Sequence, residues 1–135
     1  MSVSSIYVNL PVSDISRTRT FWQKLGFTFN EQFSDEKALA LVLKEGTIYA
    51  MLISKAHFTT FTNRPLADGS TTQVITAIQV DTREKVDELV RLALENGATR
   101  FKDGVDLGWM YYDSFSDPDG HQWEVMNANL QNLPQ

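Results

Sequence analysis

Cysteine is absent from the 135-residue chain. Disulfides, thiolate metal sites and cysteine nucleophiles are therefore excluded, and the lack of disulfides agrees with a reducing compartment. Positive charge is also in deficit. Twelve Lys and Arg stand against seventeen Asp and Glu, for a net charge of -5, and no block of like charge occurs. Phosphate backbones need a basic face, so no nucleic-acid partner is expected. No apolar run approaches the roughly 20 residues of a membrane span, so no membrane association is expected. The opening segment, Met1 to Ser5, lacks the charged-then-apolar pattern of a leader. What remains is an acidic, soluble, cytoplasmic globular protein. A chain of this length makes one domain, or two small half-domains sharing a core, and buries roughly two-thirds of its unfolded surface.

Hydrophobic patterning divides the chain into two similar halves. Ile6 to Val12 reads as a strand, with Pro11 near its end. Ser13 or Asp14 can cap a helix whose apolar face is Ile15, Thr18, Phe21, Trp22 and Leu25, and Gly26 stops it. Strands are expected near 27–33, 37–43 and 47–53, separated by turns at Ser34-Asp35-Glu36 and Lys44-Glu45-Gly46. The connection 54–72 holds a short helix around His57 to Phe61. Gln73 to Asp81 then reads as a strand, and Asp81 with Glu84 resembles a capping box. Val86, Leu89, Val90 and Ala93 form a helical stripe that ends at Gly97. Strands follow near 98–102, 109–116 and 121–127, the last after an Asp117-Pro118-Asp119-Gly120 turn. Residues 128–135 form a polar tail. Val12-Ser13-Asp14 stands opposite Val80-Asp81-Thr82, and Gly26 opposite Gly97, both about half a chain apart. Two unrelated α+β pieces would also satisfy this order of elements.

Two segments narrow the choice. Asn9-Leu10-Pro11-Val12-Ser13-Asp14, running into Phe21-Trp22-Gln23-Lys24-Leu25-Gly26-Phe27, resembles the opening strand and helix of the vicinal-oxygen-chelate superfamily, which groups glyoxalases, bleomycin-resistance proteins and dioxygenases. Phe115 to Val125, with Asp117-Pro118-Asp119-Gly120 and Glu124, resembles its closing strand. Within that superfamily the chain is most similar to the bacterial proteins called predicted lactoylglutathione lyases. The resemblance covers about residues 4–127. It implies an α+β fold of two tandem βαβββ units, about 4–53 and 73–127, forming paired half-barrels around a cavity in a single domain, and a homodimer.

The resemblance also implies where metal ligands stand, on the first and last strands of each unit. Those places fall on Tyr7, Ile75, near Met51, and on Glu124. Relatives that bind metal carry His, Glu or Gln there, and here only Glu124 matches. A catalytic metal needs about three protein donors. His121 is three residues from Glu124 on a strand, hence on the opposite face, and nothing aims His57 at Glu124. No metal or other cofactor is therefore expected.

Glu124 is the candidate catalytic residue, as a general base or as a hydrogen-bond anchor; a structural carboxylate is the alternative. Tyr7, Asn9, Met51, Ile75, Trp109 and Tyr111 are the candidate ligand-binding residues, with Trp109 and Tyr111 as an aromatic wall. Ordinary core or dimer packing is the alternative for each aromatic. The Asp117–Gly120 segment is assigned a structural role as a turn. The partner is expected to be a small organic molecule. Two functions remain: a glyoxalase-like lyase or isomerase using Glu124, or a protein that binds or sequesters a small molecule. An extradiol dioxygenase needs a two-histidine-one-carboxylate iron site, which is not apparent.

Overall fold

The computed structural model describes residues 1–133. The chain divides into two compact units, Met1–Ala67 and a second beginning at Asp68.

In the first unit β1 (Ile6–Val12) leads into α1 (Ile15–Lys24), then β2 (Thr28–Phe29), β3 (Ala38–Lys44) and β4 (Ile48–Ser54), with α2 (Lys55–Phe58) after them. Asp14 caps α1, its carboxylate accepting from the Arg17 N–H at 3.0 Å. Gly26 takes the left-handed backbone, φ 93°, that ends the helix. The sheet order is β1-β4-β3-β2. β1 lies parallel to β4, and β3 runs antiparallel to β4 and to β2. α1 packs on β3 and β4. Thr18, Phe21, Trp22 and Leu25 of this segment are buried, as are Val12, Leu39, Leu41, Ala50 and Leu52 on the sheet. Trp22 meets Phe21 and Phe27 edge-on, with ring centroids 5.3 and 5.2 Å away.

The second unit repeats the scheme with β5 (Ile75–Gln79), α3 (Arg83–Glu95), β6 (Val105–Asp106), β7 (Met110–Ser116) and β8 (Gln122–Ala128). Its sheet order is β5-β8-β7-β6, with β5 parallel to β8. α3 packs on β7 and β8, burying Val86, Leu89, Val90 and Ala93 on the side of Phe115, Trp123 and Val125. The βαβββ order is thus realised twice, as two separate four-stranded sheets and without a closed barrel.

Several boundaries differ from the sequence reading. The strand near 27–33 is cut to two residues, because the Asn30 side chain accepts from the Gln32 N–H at 3.1 Å and starts a 3-10 turn over Glu31–Phe33. The strand near 98–102 is reduced to one bridge, Thr99 with Ser116. Arg100 there turns to the carboxylate of Asp113, and the chain rejoins the sheet only at Val105. The first strand of the second half is trimmed to Ile75–Gln79. α3 is capped by Thr82, whose hydroxyl accepts from the Lys85 N–H at 3.1 Å. The Asp81–Glu84 box does not form; Asp81 instead pairs with Lys85 at 3.2 Å. Of the polar tail, Ala128 still belongs to β8, Leu130–Asn132 is a 3-10 turn, and positions 134–135 lie outside the described residues.

Candidate functional site

Each sheet has one face against its helix and one far face. Strand alternation assigns every residue to one of them. In the first unit Tyr7 pairs with Tyr49 and Asn9 with Met51, so all four stand on the far face. Tyr7 is 58% exposed, and its ring stacks on Tyr49 at 5.2 Å with planes 9° apart. The buried Tyr49 hydroxyl accepts from the Gly46 N–H at 2.8 Å, which fixes the lower ring. Ala40, opposite Met51 on β3, completes the row.

The second unit has the same frame. Ile75 pairs with Gln122, and Ala77 with Glu124. Met51 is therefore the counterpart of Glu124: each pairs with the residue two beyond Tyr7 or Ile75. Glu124 lies between Ala77 on β5 and Ser114 on β7. It is half-buried, and its carboxylate makes no hydrogen bond or ion pair with the described residues of its unit.

The aromatic wall is not assembled around Glu124. β7 begins at Met110, so Met110, Tyr112, Ser114 and Ser116 share the Glu124 face. Tyr111 points to the helix side. Its hydroxyl donates to Asp87 of α3, and the Arg83 guanidinium lies 5.2 Å from its ring centre. The hydrogen bond to Asp87, then burial, pushes the phenol up to about 12. Trp109 sits half-buried in the bend before β7, its carbonyl accepting from Asn129 at 2.8 Å. Tyr112, not Tyr111, is the aromatic beside Glu124. The hairpin carries that signal: pairing Ser116 with Gln122 across the turn sets Ser114 against Glu124, and Tyr112 follows by alternation.

The turn itself is a built structural unit. The buried Asp117 carboxylate accepts from the N–H groups of Asp119 (2.9 Å) and His121 (3.0 Å) and from the Trp123 indole (3.0 Å). Burial pushes its carboxyl above the usual aspartate range, and His121 opposes this. His121 is thus engaged with Asp117. Beside the turn lies a polar cleft of about 280 Å³, lined by residues including Thr72, Thr99, Ser116, Asp117 and Gln122. The Thr72 hydroxyl and the Gln122 side-chain oxygen are 2.7 Å apart across it.

The donor set does not fit a metal ion. Among the described residues no three His, Cys, Asp or Glu side chains are grouped to hold one, and a phenol, an isoleucine and a thioether occupy three of the four frame positions. Nor is any described helix long and apolar enough to cross a membrane.

The family model of the Glyoxalase/Bleomycin resistance protein/Dioxygenase superfamily matches residues 5–125. The chain belongs to this superfamily. Solved structures of similar fold agree. A hypothetical protein from S. aureus is 26% identical, with a TM-score of 0.78, covering 95% of this chain and 96% of that one. A superfamily enzyme from Burkholderia phytofirmans PsJN is 23% identical, with a TM-score of 0.73 over 90% and 96%. A bleomycin-binding protein solved in complex with bleomycin is 17% identical, with a TM-score of 0.60 over 93% and 98%. No protein of curated function matches the chain.

Proposed function

We propose that this superfamily member binds a small organic molecule on the far face of a sheet and works without a resident metal or cofactor. One observation carries the reading: of the four equivalent frame positions, Tyr7, Met51, Ile75 and Glu124, a single one bears a carboxylate. Lactoylglutathione-lyase chemistry uses a metal to stabilise an enediolate, so the donor set argues against that activity. Binding needs only a shaped surface with a few polar groups, which Tyr7 and Asn9 can supply on the first sheet, and Gln122 and Tyr112 on the second. That a bleomycin-binding protein shares the fold supports the same view. A cytoplasmic location and a homodimer belong to this reading. The first is supported by the absence of cysteine. The second is supported by β1 and β5, which stand at the edges of their own sheets with Ile6, Tyr7 and Ile75 exposed; a monomer in sedimentation equilibrium at micromolar concentration would overturn it.

A second reading is favoured by the Glu124 carboxylate, which has no partner among the described residues of its unit. There the chain is a glyoxalase-like lyase or isomerase, and Glu124 takes a proton from carbon next to a ligand carbonyl. A thermal-shift screen of the untagged protein decides first whether a ligand exists, since one present at a hundred times its Kd adds about 2.7 kcal/mol. Each hit is then incubated and followed by NMR. An unchanged hit supports binding. Conversion that Glu124→Gln abolishes establishes the enzyme.

A further inference from the structure

The far face of the second sheet has a pattern that selects ligand charge. Its residues fall in rows across three strands: Ile75–Gln122–Ser116, Ala77–Glu124–Ser114 and Gln79–Met126–Tyr112. In the middle row Glu124 stands between exposed Ala77 and buried Ser114, whose hydroxyl donates to the Lys102 carbonyl at 3.3 Å, so the carboxylate is open on the β5 side. Gln122 and Met126, four residues apart along β8, make walls about 13 Å from each other. Tyr112 is a diagonal neighbour of Glu124, about 7–8 Å away across the antiparallel pair. No Lys or Arg occurs at any position in these rows, nor at Met110 and Ala128 in the next. Among the paired positions of these rows Glu124 alone carries a formal charge, and its half-buried carboxylate has no partner among the described residues of its unit.

We infer that the sheet face around Glu124 takes a small planar organic cation, an amidinium or a protonated aromatic amine. The inference rests on the binding reading above. Two N–H groups of an amidinium match the two carboxylate oxygens of Glu124, the strongest hydrogen-bonding arrangement available to a carboxylate. A cation above the carboxylate also lies within reach of the Tyr112 ring face, and an attached ring covers Met126. An anion is repelled by the Glu124 carboxylate. A bare metal ion finds one donor group where about three are needed. Glu124 is a single carboxylate in one row of the sheet, which fits one small cationic group rather than a helix or strand of another protein.

Benzamidine, benzamide and benzoate have nearly the same shape and charges of +1, 0 and −1, so they test the inference on the full chain. Affinities are measured by titration calorimetry and the site by chemical-shift changes at Met126 and Ala77. Benzamidine is expected to bind at least tenfold more tightly than benzamide, with benzoate not binding. Glu124→Gln should bring benzamidine to within about threefold of benzamide, and Tyr112→Leu should weaken benzamidine. Glu45→Gln, in an exposed turn of the first unit, is the control for net charge and should leave the benzamidine preference intact. Equal binding of benzoate, or a benzamidine preference that survives Glu124→Gln, overturns the inference. If the three probes fail while other compounds from the thermal-shift screen bind, the charge rule is wrong and the binding reading stands. If nothing binds, both fall.

Discussion

The two units bury a tryptophan each, but from opposite partners. In the first the indole comes from the helix: Trp22 and Phe21 of α1 press on a sheet of modest side chains, Leu39, Leu41, Ala50 and Leu52. In the second the helix presents only aliphatics, Val86, Leu89, Val90 and Ala93, and the sheet supplies Phe115 and Trp123. Ala50 and Trp123 are counterparts in the repeated frame, since each precedes the residue, Met51 or Glu124, that the parallel pairing makes equivalent. Both are fully buried. A core position is therefore not conserved between the units in size; what persists is the volume to be filled between helix and sheet, which either side can fill. The far faces teach the same lesson in polar terms. One frame holds a tyrosine stack and no charge, the other a lone carboxylate among neutral groups.

The largest effect should come from Trp123→Ala. It removes a fully buried indole and takes a donor from Asp117, and it should cost about 3–5 kcal/mol in urea unfolding. Ala50→Leu, the reverse change at the counterpart, should overpack the first unit and cost about 1–3 kcal/mol. A neutral Ala50→Leu would show spare room under α1 and break the comparison.

The next effect concerns pH. The folded-state pKa of Asp117 lies above its unfolded value, with burial as the main cause. The folded form therefore holds that proton more tightly. The resulting stabilisation is present below the ordinary aspartate value of 3.8 and is lost as pH rises through the folded-state pKa. The difference in stability between wild type and Asp117→Asn should decline across that window, as followed by denaturant midpoints. A rising or flat difference contradicts the assignment. The smallest effects are at the helix caps. Asp14→Ala and Thr82→Ala each remove one acceptor from a first-turn N–H and should each cost about 1 kcal/mol in chemical denaturation.

Much of this architecture is legible in the sequence because helix stripes and turns are local signals. The buried residues of α3 are those of the sequence stripe, and the Asp117–Gly120 turn forms as its residue types dictate. What was missed depends on competition between partners. Asn30 has a side chain able to replace a ladder hydrogen bond, and only the fold decides that it does so. Arg100 leaves the sheet because Asp113 is within reach, a contact between residues distant on the strand pattern. The site was legible in part. Placing Glu124 opposite Met51 in the frame follows from the repeat and agrees with the observed register. Naming Tyr111 for the aromatic wall does not bring it to Glu124, because the strand's parity has to be counted from the hairpin, where Tyr112 takes that place.

The parallel pairings β1–β4 and β5–β8 have a consequence for how the chain is made. Each sheet is closed by joining its earliest strand to its latest, across a helix and two intervening strands. Such long loops close slowly and reward the chain only at the end. During synthesis β1 must therefore wait, its edge unpaired, until β4 has emerged from the ribosome, and β5 must wait for β8. The hairpins β3–β4 and β7–β8 can form first and present a template to which the waiting strand docks. A pause in translation once Ser54 has left the ribosome would let the first unit finish before the second offers it a competing edge.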